Sequence, residues 1–350
     1  MRCPRLRFGF VSSKTRGNAS VGGISATTTE AGASCDGGPR RVGLIAGWGR
    51  FPVLVAEALR RRQFEIYCLG VAGHASGELA EICDDYRTSG LARFGAAVRY
   101  FKRHGVTDAT MAGKIHKTLL FRPWLALRHL PDWKTMRTFL PHFLTREKDN
   151  KDDTLLGTVV ALFAAEGIRF APATDYAPEL LVQGGRLSRR GPSAAQWKDV
   201  RFGWKIAKEL GRLDVGQSVA VKNQAVLAVE AIEGTDACIQ RAGRLCAAGE
   251  FTVVKVAKPR QDMRFDVPTV GLKTLETLRA AGGRVLAVEA GTTIILDQQE
   301  MVAYADRHKL AIVAVNGGAA CPGDDLPENE EIRQAHSETI SESPRRSRER

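Results

Sequence analysis

The sequence predicts an α/β protein of two domains, an N-terminal Rossmann-like parallel sheet and a C-terminal mixed α/β domain, with disordered tails. Three observations carry this. The apolar run Val42-Gly-Leu-Ile-Ala46 leads through a glycine loop and an amphipathic helical segment into a second apolar run, Phe64 to Gly70. From Val219 to Val315, short apolar runs alternate with segments of helical periodicity. The 350 residues, 44% of them hydrophobic, suffice for two ordinary cores. The expected divisions are a leader at 1–40, domains at 41–174 and 175–316, and a tail at 317–350.

Composition removes several function classes. No apolar run reaches the roughly 18 residues needed to span a bilayer. The seven cysteines (3, 35, 68, 83, 238, 246, 321) contain no C-x-x-C pair, so they read as reduced thiols of a cytosolic protein. The seven histidines contain no H-x-x-x-H pair, which argues against a zinc enzyme. The net charge of +12 is unevenly spread: residues 1–41 carry +5, residues 99–148 carry +8 and residues 317–350 carry −3. The chain has no recognised RNA- or DNA-binding module, and part of its positive charge lies in the leader, so no nucleic-acid partner is expected.

Residues 1–40 are rich in Gly, Ser, Thr and Ala without hydrophobic periodicity, and no apolar stretch long enough for a secretory signal follows the first arginines. Val42–Ala46 reads as a buried strand, Val53–Arg62 as a helix and Phe64–Gly70 as the second strand. Between them, Gly47-Trp48-Gly49-Arg50-Phe51-Pro52 places proline where a dinucleotide fingerprint has its third glycine, and no acidic residue closes the second strand. The loop is therefore either a tight turn or a phosphate cradle. Helices follow near 77–83 and 95–104, then a strand at Ala109–Gly113. Lys114 and Lys117 come just after that strand's carboxyl end, where α/β sheets bind anionic ligands. Residues 118–146 interleave bases with Phe121, Trp124, Trp133, Phe139 and Phe143. That mixture suits an anionic membrane surface or an acylated ligand, and equally a buried helix pair with solvated arginine ends. Lys151-Asp-Asp-Thr154 opens a helix through Ala165, Gly167–Pro172 returns to the sheet, and Asp175–Glu179 reads as the linker.

The second domain begins with a helix near 194–210. Val219, Val221 and then Val226, Leu227 and Val229 read as a hairpin turned at Lys222-Asn223. The second strand lacks clean alternation, which predicts cover on both faces. It ends on Glu230, Glu233 and Asp236, with Gly234 for the turn, and Thr235 or Asp236 is the expected N-cap of a helix at Ala237–Leu245. Carboxylates at a strand end beside a helix start also form metal and phosphate sites, although caps are far commoner. Strand Phe251–Ala257 runs into Lys258-Pro-Arg-Gln-Asp262-Met-Arg264-Phe-Asp266-Val-Pro268, a loop fixed by two prolines whose content points to function. A helix at Leu272–Ala281, strands at Val285–Val288 and Thr292–Leu296, a helix at Gln299–His308 and a strand at Leu310–Val315 complete the domain.

Several strings together resemble the I-type UDP-2,3-diacylglucosamine pyrophosphatase family of lipid A biosynthesis, over about residues 41–316. They are Gly43-Leu-Ile-Ala-Gly47-x-Gly49-x-x-Pro52, Ala112-Gly-Lys114, Asp152-Asp-x-Leu-Leu156, Gly211-Arg-Leu-Asp-Val-Gly-Gln217, Val229-Glu-Ala-Ile-Glu-Gly-Thr-Asp236 with Arg241, and Lys258-Pro-x-Gln-Asp262-x-Arg264-x-Asp266-x-Pro-Thr-x-Gly271. Cys238 departs from the family's Met at a position that reads as packing. The resemblance implies a lipid-binding cleft between two domains, a homodimer, and hydrolysis dependent on Mg2+ or another divalent cation. The products would be UMP and 2,3-diacylglucosamine 1-phosphate (lipid X), by water attack on the α-phosphorus, on an acylated UDP-sugar met at the inner-membrane surface. By motif Asp236 is the essential aspartate, which shifts its reading from cap to metal ligand. Asp262 and Asp266 are its expected partners, with Glu233 in reserve. Lys258 and Arg264 would bind non-bridging oxygens. Gln217 and Gln261 would orient water or sugar, Lys114 and Thr235 would contact substrate, and Gly47 and Gly49 would hold uridine or its phosphate. A non-catalytic lipid or nucleotide-sugar binder on the same fold is the alternative.

Overall fold

The computed structural model describes residues 40–115, 130–137 and 152–317. The leader, the tail beyond 317 and most of the basic, aromatic stretch 118–146 lie outside those residues, as does Lys117.

Strands β1 (Arg41–Ala46), β2 (Glu65–Val71), β3 (Asp85–Ser89), β4 (Asp108–Ala112) and β5 (Arg169–Phe170) form one parallel sheet in the order β3-β2-β1-β4-β5. That is the Rossmann-like arrangement, with its reversal of strand order between β1 and β4. The apolar run Val42–Ala46 that makes up β1 beyond Arg41 follows from cover on both faces. On one side Leu44 and Cys68 meet Val53, Val55 and Leu59 of α1 (Phe51–Arg61) and Leu79 of α2 (Leu79–Ile82). On the other, Ile45 and Leu69 meet Phe101 of α3 (Phe94–Arg103) and Phe163 of α4 (Asp152–Ala164). A Cβ on Gly43 would stand 2.8 Å from the Phe101 ring, so glycine there lets α3 seat against the sheet. The sequence reading passed over β3. Asp85-Tyr-Arg-Thr-Ser89 is polar and lies at the sheet's edge with no residue fully buried, so it carries no apolar signature. The expected linker, Asp175–Glu179, overlaps helix α5 (Ala173–Tyr176) and a 3-10 turn (Pro178–Leu180), with Tyr176 and Leu180 packed on the α1 side of the N-terminal core.

The C-terminal domain is a six-stranded mixed sheet in the order β6-β13-β11-β9-β7-β8. Its strands are β6 (Gly185–Arg186), β7 (Ser218–Lys222), β8 (Ala225–Val229), β9 (Thr252–Lys255), β11 (Val285–Glu289) and β13 (Ala311–Val315). β9, β11 and β13 are mutually parallel, whereas β6, β7 and β8 pair antiparallel. Helix α6 (Ala194–Arg212) covers one face, started by a reciprocal capping box between Ser193 and Gln196. Helices α7 (Thr235–Leu245), α8 (Leu272–Ala280) and α9 (Gln298–Arg307) cover the other. A small parallel pair, β10 (Thr269–Val270) with β12 (Ile294–Ile295), lies outside the main sheet.

The hairpin exists but turns one residue later than expected. Asn223 and Gln224 both have positive φ (51° and 59°), the pair that a two-residue type I′ turn requires. The buried Asp199 carboxylate accepts both of their N–H groups, at 3.0 and 2.6 Å. The expected two-sided cover of β8 is overturned. β8 ends the sheet, only Ala228 is buried, and Val226 is exposed.

Glu166, just past α4, ties that helix to α3 through Lys102 (2.6 Å) and also binds Lys134. These two ammonium groups pull its carboxyl down to about 2. A depressed carboxyl stabilises the fold above its unfolded value and loses that contribution as pH falls through the folded one. The melting-temperature difference between wild type and Glu166→Gln is therefore predicted to be full above pH 4.5 and to vanish as pH approaches 2. A difference that stays constant across that range contradicts the tie.

Candidate functional site

Two loops leave the carboxyl edge of the parallel sheet at its reversal point and press backbone on backbone. Gly47 N donates to Ala112 O (2.8 Å), Trp48 N to Lys114 O (2.8 Å), and Lys114 N returns to Trp48 O (2.9 Å). A Cβ on Gly47 would meet Lys114 O at 2.8 Å, and one on Gly113 (φ +93°) would meet Pro52 Cγ at 2.7 Å. Gly47 thus serves the contact between the loops. At Gly49 (φ +107°) a Cβ would meet open space, so glycine there serves the left-handed backbone rather than a close contact. Arg50, at the start of α1, is shared among Glu78 (2.9 Å), Glu57 (3.5 Å) and, across the domains, Asp297 (3.7 Å).

Facing this edge, β8 delivers Glu230, and a tight turn then starts α7. The N-cap is Gly234 (φ +83°), and no side chain caps the helix. Thr235 and Asp236 are its first two residues, so neither is the cap that local sequence suggested. Among the described residues the Asp236 carboxylate has no partner. It lies in the first turn, where the helix dipole favours negative charge. The Thr235 hydroxyl donates to Glu230 Oε1 (2.9 Å) and accepts from Lys255 Nζ (3.1 Å), with Ser218 Oγ at 3.4 Å. Lys255, on β9, also donates to Thr269 O (3.0 Å) and is buried. Burial pushes its ammonium below the ordinary range, opposed chiefly by Glu230, while Lys114 lowers it further and Asp236 and Asp266 raise it. Lys114 comes from the N-terminal domain, so both domains contribute charge to one centre. Glu230 Oε2, Gln217 Oε1 and Gln261 Nε2 are buried without a hydrogen-bond partner among the described residues. The two oxygens are hard donors of the kind that suits a divalent cation such as Mg2+, whereas the amide nitrogen is a hydrogen-bond donor only.

Residues 258–268 span the domain junction. Their root is fixed by the Glu289 carboxylate, which accepts from Ala257 N (2.7 Å) and from Lys208 Nζ (2.7 Å to each oxygen). Further on, Phe265 packs against the N-terminal core beside Ile45, Phe94 and Met111. Within the loop, Arg264 grips Asp262 with a fork (Nε–Oδ1 2.9 Å, Nη2–Oδ2 2.5 Å), which holds that carboxyl below the usual range. Lys258 Nζ binds Asp214 Oδ1 (2.7 Å), and its N–H donates to Gln261 Oε1 (2.8 Å).

Of the residues that sequence selected, Thr235, Asp236, Asp266 and Lys114 act on one centre, and Gln217 and Gln261 each carry an unpaired buried polar atom. The expected set of Asp236, Asp262 and Asp266 is not a closed metal cage. Among the described residues no three His, Cys, Asp or Glu side chains gather around a common point, and Asp262 is engaged by Arg264. Glu233 is turned away to Arg241, which also donates to Val229 O (2.7 Å). Cys238 is core packing: it is buried, and burial pushes its thiol up to about 12. Sequence reasoning missed Lys255. Its signal was a lone ammonium inside the otherwise apolar strand Phe251-Thr-Val-Val-Lys-Val-Ala257, a placement that burial makes costly without dedicated partners.

A parallel Rossmann-like domain and a mixed-sheet domain, joined by a charged centre to which each contributes, define a two-domain α/β protein with a site at the domain junction. The chain belongs to the LpxI family: the LpxI N-terminal domain matches residues 41–180 and the LpxI C-terminal domain residues 183–313. It is 30% identical over 286 residues to the UDP-2,3-diacylglucosamine pyrophosphatase LpxI of Caulobacter vibrioides, covering 79% of this chain and 98% of that protein.

Thr235→Val would leave Glu230 Oε1 without its donor and Lys255 Nζ with Thr269 O alone. Leaving such groups unpaired costs about 1–3 kcal/mol each. Denaturant unfolding is predicted to show a loss in that range for Thr235→Val and a much smaller one for Thr235→Ser. Equal stability of the two variants would contradict the role given to the hydroxyl.

Proposed function

We propose that this protein hydrolyses the pyrophosphate bridge of UDP-2,3-diacylglucosamine, giving UMP and 2,3-diacylglucosamine 1-phosphate by water attack on the α-phosphorus. The observation that carries the proposal is the similarity to the Caulobacter pyrophosphatase over nearly the whole of that protein, tails of this chain aside. The site's chemistry supports it. Asp236 stands at a helix start with its carboxylate uncommitted, and Asp266 adds a second hard oxygen donor toward the same centre. Mg2+ is ordinarily held by one or two carboxylates together with substrate phosphates, so two carboxylates suffice for it. Such a cation, held by Asp236 and Asp266, would neutralise the diphosphate and stabilise the departing phosphate.

The protein's own groups supply the rest. Lys114 offers a cation from the N-terminal side, a role supported by its electrostatic influence on Lys255. Lys258 and Arg264 can bind non-bridging oxygens by exchanging Asp214 and Asp262 for the substrate; Arg264 has the planar fork that fits a phosphate edge. The unpaired amide atoms of Gln217 and Gln261 are available to orient water or the sugar. Buried Lys255 does not contact the substrate; it holds Thr235 and so the first turn that presents Asp236. Exposed apolar side chains flank these groups. Trp48 is one backbone pair from Lys114, Ile115 follows it, and Ile232 stands fully exposed in the turn before Thr235. Apolar surface so placed suits acyl chains and contact with a lipid surface. No described helix is long and apolar enough to cross a membrane. A homodimer and peripheral attachment to the membrane belong to this reading.

Purified protein with Mg2+ and UDP-2,3-diacylglucosamine should release UMP, and chelation should stop it. Asp236→Asn should lower kcat at least about a hundredfold, the scale of removing one transition-state electrostatic contact, while leaving the melting temperature near that of wild type. Binding without UMP release by the wild-type protein would reject the function in favour of a non-catalytic binder. Full turnover by Asp236→Asn would reject the residue.

A further inference from the structure

The N-terminal domain carries a second concavity, of about 850 Å³, that includes none of the residues discussed above as site residues. It opens at the carboxyl ends of β2 and β3, against α3. Arg87, Arg93, Arg99 and Arg103 line it with Tyr100 and His104. Its size falls within the range of ordinary small-molecule sites, and the carboxyl edge of a parallel sheet is where such sites form. Two carboxylates lie near the four guanidinium groups, and both are occupied. Asp85 binds Arg87 (3.2 Å) and Tyr100 Oη (3.0 Å), with His104 at 3.9 Å. Asp132 accepts from Ala96 N (2.8 Å), Thr135 N (2.9 Å) and Thr135 Oγ1 (2.7 Å). The guanidinium groups of Arg93, Arg99 and Arg103 make no hydrogen bond or ion pair among the described residues, although the Arg99 charge helps to hold the Asp132 carboxyl below its usual range.

Arg93 is the N-cap of α3, whose own first turn has no acidic residue; the Asp132 carboxylate occupies that helix start instead, accepting from Ala96 N. Arg99 and Arg103 are four residues apart on the same helix, a like-charge spacing, with Arg103 in the last turn where the dipole favours a cation. Guanidinium groups converging on one cavity match the planar oxygen edges of a phosphate.

We propose that this pocket binds a phosphate-bearing anion with two or more negative charges. The phosphate could belong to a soluble nucleotide or pyrophosphate, or to an anionic phospholipid headgroup. The test is calorimetric titration of the full chain with inorganic pyrophosphate and with UMP, in chelator so that no divalent cation contributes. Sedimentation with phosphatidylcholine vesicles, with and without phosphatidylglycerol, forms the second arm. The wild-type protein is expected to bind at least one probe, with affinity that falls as salt rises. The double variant Arg93→Ser and Arg99→Ser is expected to weaken that binding by about tenfold or more, the scale of one lost charge-assisted contact. The start of α3 is already held by Asp132, so the double variant should melt near the wild-type temperature, and weaker binding then cannot be ascribed to unfolding. Loss in the soluble arm identifies a free phosphate as the ligand, and loss confined to phosphatidylglycerol vesicles identifies a headgroup. No binding to any probe, or unchanged binding by the double variant, overturns the proposal. Failure of the pyrophosphatase reading would appear separately, as absent UMP release by the wild-type protein.

Discussion

The fold's charged centre depends on one buried ammonium. Lys255 sits on β9, between strands that are otherwise apolar, and an unpartnered charge there would cost far more than the domain's net stability. Three things make it tolerable. Its Nζ donates to the Thr235 hydroxyl and to a backbone carbonyl, the hydroxyl donates in turn to Glu230, and the negative charges of Glu230, Asp236 and Asp266 act on the group. The consequence is geometric. Thr235 is the first residue of α7, so the bond that satisfies Lys255 also fixes the helix start on which Asp236 rides. A buried charge is weak evidence for stability, but here it specifies where a turn must sit.

Glycine performs the complementary task of bringing the walls of the site together. A Cβ on Gly216 would overlap the carbonyl oxygen of Glu230, just as one on Gly47 would strike Lys114 O. In both cases backbone rather than ligand occupies the space that the missing side chain leaves. The glycine-rich loop after β1 therefore resembles a phosphate loop in composition while serving partly as a seam between β1 and β4. Only Gly49, with open space around it, keeps the freedom that a cradle would need.

How much of this was legible in the sequence varied with what each signal encodes. Buried strands of the parallel sheet, such as Val42–Ala46, announce themselves because both faces need apolar side chains. β3 was silent because its edge position removes that requirement. β8 was misread for the opposite reason: its Val and Leu suggested two-sided cover, yet its antiparallel place at the sheet's end leaves Val226 in solvent. At the site, Asp236 was conspicuous because a carboxylate beside a turn glycine is a recognisable local pattern. Its companions were harder. Asp262 and Asp266 stand four residues apart in one loop, and nothing in their spacing tells that Arg264 folds back on the first and leaves the second free. Glu230 and Lys255 are separated by a whole helix and a strand crossing, so their neighbourhood exists only in the tertiary structure.

The starts of α7 and α3 are satisfied in different ways. A carboxylate in the first turn of α7 is favoured by the helix dipole by about 0.3–1 kcal/mol, so the fold and a cation-binding group ask for the same residue. The presence of Asp236 alone therefore says little about catalysis, because a small stability term would retain it too. At α3 the first turn has no acid of its own, and the Asp132 carboxylate, from a separate segment, takes Ala96 N. A residue that local energetics supports needs an activity measurement to expose its function, which is why the large expected loss of kcat at Asp236, set against a small dipole term, separates the two contributions.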